Sequence, residues 1–175
     1  MKPSIASQLF LAMRSLLAAA AFVTLWVWLA LSVRVFDSRI PVAVPAWTRP
    51  LGYLLFVAGA ILAALCIVTF AARGQGTAAP FDPPRKFVAS GPYRFVRNPM
   101  YIGAIGVISG GGLIVGSVSI VALAVAFFAI THVFVVVYEE PTLTQQFGDS
   151  YLRYKATVPR WWISRRKAAA SRGDG

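Results

Sequence analysis

Three long runs of the chain contain no charged side chain, and they constrain the fold more than any other feature. The runs cover 15–33, 50–72 and 98–138 and are 19, 23 and 41 residues long. A bilayer core needs about 20 apolar residues of α-helix to cross it. The first two runs therefore predict one membrane-spanning helix each. The third would make a single helix roughly 60 Å long, which fits two crossings.

A string of small residues, Gly116-Ser117-Val118-Ser119, lies in the middle of the third run. Gly and Ser are weak helix formers and favour turns, so a tight turn is predicted there. The first span is interpreted as an anchor and not as a cleavable signal peptide, because its apolar stretch exceeds the usual length of about 7–15 residues. The prediction is an all-α membrane protein with four transmembrane helices. These helices are placed at about 15–34, 51–72, 100–116 and 119–138.

Composition excludes the main alternatives. The chain is 58% hydrophobic and only 13% charged, whereas soluble domains carry about 25% charged residues. A chain of 175 residues has too high a surface-to-volume ratio to bury so much apolar surface in a soluble core. A disordered chain is excluded by the many aromatic and branched residues.

The distribution of basic residues predicts the orientation in the membrane. The net charge is +11, from 17 Lys and Arg and 6 Asp and Glu. With four spans, 14 of the 17 basic residues fall on one side, which the positive-inside rule assigns to the cytoplasm. Both termini are then cytoplasmic. If the cell is bacterial, the protein is predicted to lie in the inner membrane. Topology accounts for the charge, so no nucleic-acid partner is predicted. The 14 residues are Lys2, Arg14, Arg73, Arg85, Lys86, Arg94, Arg97, Arg153, Lys155, Arg160, Arg165, Arg166, Lys167 and Arg172.

Two further segments are predicted on the cytoplasmic side. The loop 73–99 is long for a connection without a role, and its first half is rich in Gly and Pro. After span four, Leu143, Phe147, Tyr151 and Tyr154 recur at helical spacing, which predicts one amphipathic helix near the membrane surface. The loop and this helix are predicted to form a cap over a cofactor. Residues 164–175 are predicted to be a disordered basic tail.

Glu139 and Glu140 are two of only six acids, and they follow directly after span four. The carboxyl end of a helix disfavours carboxylates by roughly 0.3–1 kcal/mol, so a cation should compensate them. The cation is either Arg94 or Arg97 from the same side, or the amino group of a bound ligand. The residues alone leave both possibilities open.

His132 is the single histidine and lies within span four. An ionisable side chain inside a span is a functional candidate by default, and the alternative is a neutral histidine bonded to a neighbouring helix. One His and one Cys argue against a His/Cys metal site, and no metal is predicted. The Gly106-x-x-x-Gly110 and Gly112-x-x-x-Gly116 patterns indicate close helix packing and not a phosphate loop.

Residues 85–163 resemble the integral-membrane methyltransferases that include isoprenylcysteine carboxyl methyltransferase and the phospholipid N-methyltransferases. The resemblance rests on Gly91-Pro92-Tyr93, Arg97-Asn98-Pro99-x-Tyr101-x-Gly103, a membrane hairpin, Glu139-Glu140, Phe147-Gly148, Tyr151-x-x-Tyr154-Lys155 and Val158-Pro159. It implies that S-adenosylmethionine binds at the cytoplasmic end of the hairpin. Many members have His where Asn98 stands, so no acid–base role is given to Asn98. The isoprenylcysteine enzymes have an Arg where Val135 stands, and its absence argues against carboxyl methylation.

The resemblance also implies residue roles. Glu139 would take the methionine ammonium group, and Tyr93 and Tyr101 would offer aromatic faces to the sulfonium. His132 is the candidate to orient or deprotonate the methyl acceptor. The implied cofactor-binding residues are Arg85, Lys86, Phe87, Val88, Tyr93, Arg97, Asn98, Pro99, Met100, Tyr101, Glu139 and Glu140.

The predicted function is a membrane methyltransferase that uses S-adenosylmethionine and acts on a lipid-like or small membrane-accessible acceptor. A lipid amine, a small thiol and an isoprenoid group all remain open as the acceptor. The first alternative is an NADPH-dependent membrane reductase of related architecture. The phosphates of NADPH would then be bound by Arg85, Lys86, Arg94 and Arg97. The second is a membrane scaffold without enzymatic activity. The sequence leaves the oligomeric state open.

Overall fold

The protein is described from a computed structural model, and the described residues are 5–73 and 88–162. Within these two ranges every regular element is helical. Helix α1 spans Ile5–Val33 and is followed by a 3₁₀ helix at Arg34–Arg39. A 3₁₀ turn at Ala46–Thr48 leads into α2, which spans Arg49–Arg73.

The second described range begins with an irregular segment and a 3₁₀ helix at Gly91–Arg94. Helix α3 spans Pro99–Val115 and α4 spans Val118–Phe134. A π-helical turn at Val135–Glu139 continues α4 into α5, which spans Glu140–Phe147. Helix α6 spans Asp149–Thr157. The all-α fold class is therefore confirmed.

Three helical stretches are long and apolar enough to cross a membrane, at Ala20–Arg39, Ala46–Phe70 and Val118–Phe147. Helix α3 is also apolar but has only 17 residues, a length of about 25 Å at 1.5 Å per residue. The chain is thus a membrane protein by the length and composition of its helices.

The predicted turn between the third and fourth helices is confirmed. Gly116 ends α3 with a φ of 70°, in the left-handed region that glycine adopts without a Cβ clash. Ser117 then caps α4, since its hydroxyl accepts a 3.2 Å hydrogen bond from the Ile120 N–H. At the same end, Asp37 Oδ1 accepts a 2.9 Å bond from the Ser119 N–H. Asp37 therefore fastens the segment after α1 to the first turn of α4.

Helices α2 and α3 pack closely through glycines on both partners. A Cβ on Gly59 would lie 2.5 Å from the Gly103 carbonyl oxygen, and one on Gly110 would lie 2.5 Å from the Phe56 nitrogen. The close packing predicted for Gly106-x-x-x-Gly110 is confirmed. Gly112 packs instead against Val121 of α4, with a Cβ at 3.0 Å from its backbone nitrogen.

The π-helical turn at Val135–Glu139 is explained by Pro141. Proline has no N–H, and its ring clashes with the carbonyl of the residue four positions earlier, here Val137. The backbone widens instead of ending. Helix α4 therefore does not stop at 138 as predicted but runs on into α5. The widened turn includes Glu139 and comes directly before Glu140, and such turns are frequent at functional sites.

The prediction of one continuous amphipathic helix after span four is wrong, because two short helices, α5 and α6, are found there. Gly148 separates α5 from α6 with φ 51° and ψ −130°, a conformation that residues with a Cβ rarely adopt. The helical spacing of the apolar residues runs through the break, because a single glycine does not interrupt the pattern in sequence. Tyr151 and Tyr154 are nevertheless both buried, as the pattern indicated.

Candidate functional site

The segment before α3 and the segment around α6 are fastened together at one end of the helices. Tyr154 donates a 2.6 Å hydrogen bond to the Tyr93 carbonyl oxygen. The Arg97 N–H donates to the Pro159 carbonyl at 2.9 Å, and Asn98 Nδ2 donates to the Arg160 carbonyl at 3.2 Å. Burial is the largest cause that raises the pKa of the Tyr154 phenol.

A cleft of about 70 Å³ lies between these segments and the helix ends. This volume is well below the roughly 300–1,000 Å³ of pockets that bury a whole drug-sized ligand. The described residues therefore enclose room for one part of such a ligand. The cleft is lined by Phe70, Val88, Tyr93, Arg97, Asn98, Val135, Glu139, Glu140, Leu143, Tyr151 and Tyr154.

Glu140 is buried and is bound by three cations. Arg97 Nη1 lies 2.8 Å and Arg160 Nε 2.6 Å from Oε1, while Lys155 Nζ lies 3.0 Å from Oε2. Arg160 also donates through Nη2 to Oε2 at 3.0 Å, so it binds the carboxylate in a bidentate manner. The hydrogen bond to Glu140 is the largest cause that raises the pKa of Arg160. The partner Arg97, considered from the sequence, is therefore found for Glu140.

Glu139 has a different environment from its neighbour. Its Oε2 accepts a 3.1 Å hydrogen bond from the Tyr101 hydroxyl, and none of the described cations forms an ion pair with it. Arg94, the other basic partner considered, lies instead over the Phe95 ring at 4.5 Å. Glu139 is only partly exposed and lines the cleft. It is thus a carboxylate at the cleft wall that bonds to a phenol and pairs with none of the cations that the structure describes.

Arg97 combines a structural contact with spare hydrogen-bonding capacity. Its side chain is only 10% exposed, and it contacts both Glu140 and Tyr151. Its Nε atom is buried and has no hydrogen-bond partner. An unpaired buried donor costs about 1–3 kcal/mol. At the wall of a cleft, such a donor is suited to an anionic or carbonyl group of a ligand.

Tyr93 and Val88 both lie on the cleft wall. Both belong to a buried cluster with Cys66 of α2, and Met100 packs against that cluster. Tyr93 also meets the Phe70 ring at 5.1 Å between centroids. Burial is the largest cause that raises the pKa of the Tyr93 phenol.

Three of the expected cofactor residues do not line the cleft. Pro99 starts α3 and is buried, Met100 faces the Cys66 cluster, and Tyr101 reaches Glu139. Asn98 occupies the position before α3 but makes no side-chain capping bond, and its Nδ2 donates to the Arg160 carbonyl. Arg85, Lys86 and Phe87 lie outside the described residues.

His132 is bonded to a residue far along the chain. Trp161 donates its indole N–H to His132 Nδ1 at 3.0 Å, and the two rings are stacked with centroids 6.0 Å apart. Trp161 is buried against Phe128 and Tyr101, whereas Trp162 is exposed. His132 does not line the cleft. Its observed contact is of the structural kind considered from the sequence, with an indole from the segment after α6 as the partner.

Sequence reasoning missed Lys155 and Arg160 as partners of Glu140. In the sequence both count towards the positive charge of the cytoplasmic side, and Lys155 also belongs to the Tyr151-x-x-Tyr154-Lys155 motif, but neither is matched to an acid. The available signal was an acid at an unfavourable helix end followed by a short basic segment, but 15 and 20 residues separate these cations from Glu140. Leu143, Tyr151 and Tyr154 were recognised as an apolar face but not as part of the cleft.

An all-α membrane protein with a charged cleft at the end of its helices is the class that these observations define. The family model for phospholipid methyltransferases matches residues 47–150, more than half of the chain. The chain therefore belongs to the phospholipid methyltransferase family and is a membrane methyltransferase. The match includes α2, which carried no distinguishing motif in the sequence, and it ends before Lys155. A search of curated proteins gave no match.

Proposed function

We propose that the protein transfers a methyl group from S-adenosylmethionine to a lipid-like or small membrane-accessible acceptor. The observation that carries the proposal is Glu139, a carboxylate on the cleft wall that is bonded to Tyr101 and to none of the described cations. Glu139 is only partly exposed, and a carboxylate withdrawn from water is stabilised by a nearby cation. The ammonium group of a bound amino acid moiety would supply such a cation.

Arg97 supports the same ligand, because its positive charge would bind the carboxylate group of the amino acid moiety. Its unpaired buried Nε and its place on the cleft wall suit the carboxylate of an amino acid moiety. One acid and one guanidinium then bracket a zwitterion, and the small cleft volume fits that part of the cofactor. Glu140 holds the Arg97 side chain in place through the 2.8 Å contact.

S-adenosylmethionine supplies a methyl group on a positively charged sulfur, which needs little acid catalysis. The protein's part in this proposal is alignment of the two reactants and exclusion of water. The tyrosines and apolar residues of the cleft wall serve the second task. His132 is proposed to orient the methyl acceptor. Its Nδ1 accepts a hydrogen bond from Trp161, which leaves Nε2 as the nitrogen that carries the proton.

We further propose four membrane-spanning helices, namely the three long apolar stretches and the shorter helix α3. Both termini would lie in the cytoplasm. Helix α3 is shorter than the other three apolar stretches. It packs along α2 through glycines on both helices, and the tight turn at Gly116 joins it to α4. Reporters fused after Gly76 and at the C-terminus should both be cytoplasmic, and a reporter at Pro45 should not. A cytoplasmic signal at Pro45 would overturn this topology.

The decisive experiment combines binding with labelling. Purified protein is titrated with S-adenosylmethionine by calorimetry, with NADPH as the comparison ligand, and is then incubated with methyl-labelled cofactor and a membrane extract. We expect S-adenosylmethionine alone to bind and a membrane component to become labelled. Glu139→Gln should abolish measurable binding, whereas Asp149→Asn, an exposed acid on α6, should bind as the unmodified protein does. Equal affinity in both variants would refute the role of Glu139.

A further inference from the structure

The chain that follows α6 is bonded to the cleft just before it reaches Trp161. The Pro159 carbonyl accepts a hydrogen bond from the Arg97 N–H at 2.9 Å. The next carbonyl, that of Arg160, accepts from Asn98 Nδ2 at 3.2 Å. Arg97 and Asn98 both line the cleft. Because the two bonded carbonyls directly precede Trp161, the cleft fixes the backbone that carries the indole side chain.

The Trp161 side chain is held by other aromatic rings. It is only 8% exposed. Its ring centroid lies 5.2 Å from that of Phe128 on α4 and 6.4 Å from that of Tyr101 on α3, separations at which aromatic rings stabilise one another. Packing therefore sets the direction of the indole N–H, which donates to His132 Nδ1 at 3.0 Å.

This hydrogen bond determines the tautomer of His132. An indole N–H can only donate, so Nδ1 accepts and carries no proton. The bond made by one ring nitrogen sets the state of the other, and the ring proton therefore lies on Nε2. In this tautomer Nε2 can donate a hydrogen bond but cannot take up a proton. The sequence leaves open whether His132 orients or deprotonates the methyl acceptor, and the observed bond favours orientation.

His132 lies one helical turn before the cleft. Val135, three residues further along the chain, is buried and lines the cleft. Residues three apart are neighbours on a helix surface, and the rise between them is about 4.5 Å along the axis. His132 itself is partly exposed. A molecule that approaches the cleft along α4 from the bilayer would therefore pass this imidazole.

We propose that Trp161 is a positioning residue for methyl transfer, which holds His132 as a hydrogen-bond donor to the methyl acceptor. His132 keeps its Nε2 proton and aligns the acceptor, so it is not the base of the reaction. The inference rests on the proposed function, because it concerns the acceptor of that reaction. It deepens that function by connecting the cleft to His132 through the backbone bonds of Arg97 and Asn98.

The first test observes His132 directly in the unmodified protein. The chain contains one histidine, so both imidazole nitrogen signals belong to this residue when histidine labelled with nitrogen-15 is incorporated. The full chain is purified in an uncharged detergent, with an affinity tag that contains no histidine. Proton–nitrogen NMR spectra are recorded in mildly alkaline solution, where a free imidazole is neutral. We expect Nδ1 to be unprotonated and Nε2 to be protonated, and a proton on Nδ1 would overturn the proposal.

Two tryptophan variants then test whether Trp161 causes this state. Trp161→Phe keeps an aromatic ring and removes the N–H. Trp162→Phe is the matched control, because Trp162 is 79% exposed. In Trp161→Phe the two nitrogen signals should move towards each other as both tautomers become populated, whereas Trp162→Phe should give the spectrum of the unmodified protein. Identical spectra for all three proteins would refute the role of Trp161.

Methyl-transfer rates separate positioning from structural support. Trp161→Phe should lower the rate at saturating cofactor by about tenfold, the upper value of one neutral hydrogen bond, and leave the S-adenosylmethionine affinity unchanged. In a His132→Gln background the same substitution should have no further effect, because Trp161 acts through His132. A full tenfold loss in that background would contradict the proposal. If the unmodified protein transfers no methyl group, the proposed function fails, and the NMR spectra still decide whether Trp161 fixes His132.

Discussion

The Tyr101 hydroxyl donates a hydrogen bond to Glu139 Oε2 at 3.1 Å, from the first turns of α3 to the π-helical turn after α4. Tyr101 itself does not line the cleft, and its ring packs against Phe127 and Trp161. The hydrogen bond therefore orients the Glu139 carboxylate from a residue outside the cleft lining and occupies one of its two oxygens. The expected role of Tyr101 is to position the carboxylate, in addition to any contact with a ligand.

Tyr101→Phe should weaken S-adenosylmethionine binding by about tenfold. The change removes one hydrogen bond to a carboxylate, a contact worth about 1.5–3 kcal/mol when one partner is charged, and leaves the ring packing intact. Calorimetry of the purified variant measures the effect. Tyr53→Phe, on the exposed surface of α2, is the matched control. Unchanged affinity in Tyr101→Phe would show that Glu139 needs no such orientation.

The boundaries of the membrane hairpin could be predicted because their causes are local. The charge-free run of 41 residues is too long for one crossing, and Gly116 and Ser117 mark the turn by their own backbone preferences. The predicted ranges 100–116 and 119–138 therefore fall close to Pro99–Val115 and to the start of α4 at Val118. The packing of α2 on α3 is different. Helices that are apolar all round show no buried face in their periodicity, and only the glycines hinted at the contact.

The division of work between the two glutamates could not be predicted. In sequence they are equivalent neighbours at one helix end. The widening at Val135–Glu139 and the return of the chain at Arg160 decide that Glu140 meets three cations and Glu139 a phenol. Both causes depend on tertiary structure. The same holds for His132, whose partner Trp161 lies 29 residues further along the chain.

Glu140→Gln should destabilise the protein strongly. Removing one partner of a buried ion pair costs about 3–5 kcal/mol, and the exposure of Lys155 and Arg160 places this case towards the lower end of that range. Thermal unfolding in detergent measures the change. The double variant Glu140→Gln with Arg160→Gln should recover part of the loss, because it removes one of the three uncompensated cations. A double variant with the sum of the two single effects would contradict coupling between these residues.

Tyr154→Phe should lower stability at neutral pH by about 1–3 kcal/mol, because the Tyr93 carbonyl loses its buried donor. The deficit should shrink in alkaline solution. The pKa of Tyr154 is raised in the folded protein above its ordinary value of 10.0, so the stability it contributes is complete below pH 10 and is lost as the pH rises towards the folded pKa. Unfolding curves of both proteins at pH 7.5 and pH 11 measure the difference. A deficit that grows with pH would contradict the assignment.

Gly110→Ala should destabilise the packing of α2 on α3. Its Cβ would lie 2.5 Å from the Phe56 nitrogen and 2.6 Å from the Gly52 carbonyl oxygen, both backbone atoms that cannot turn aside. Forcing such a contact costs about 1–3 kcal/mol. Gly111→Ala is the matched control on the next residue, where a Cβ meets nothing within 4 Å and alanine improves helix propensity by up to about 1 kcal/mol. Thermal unfolding of the two variants should therefore shift in opposite directions, and a Gly110→Ala protein as stable as Gly111→Ala would refute the close contact of these helices.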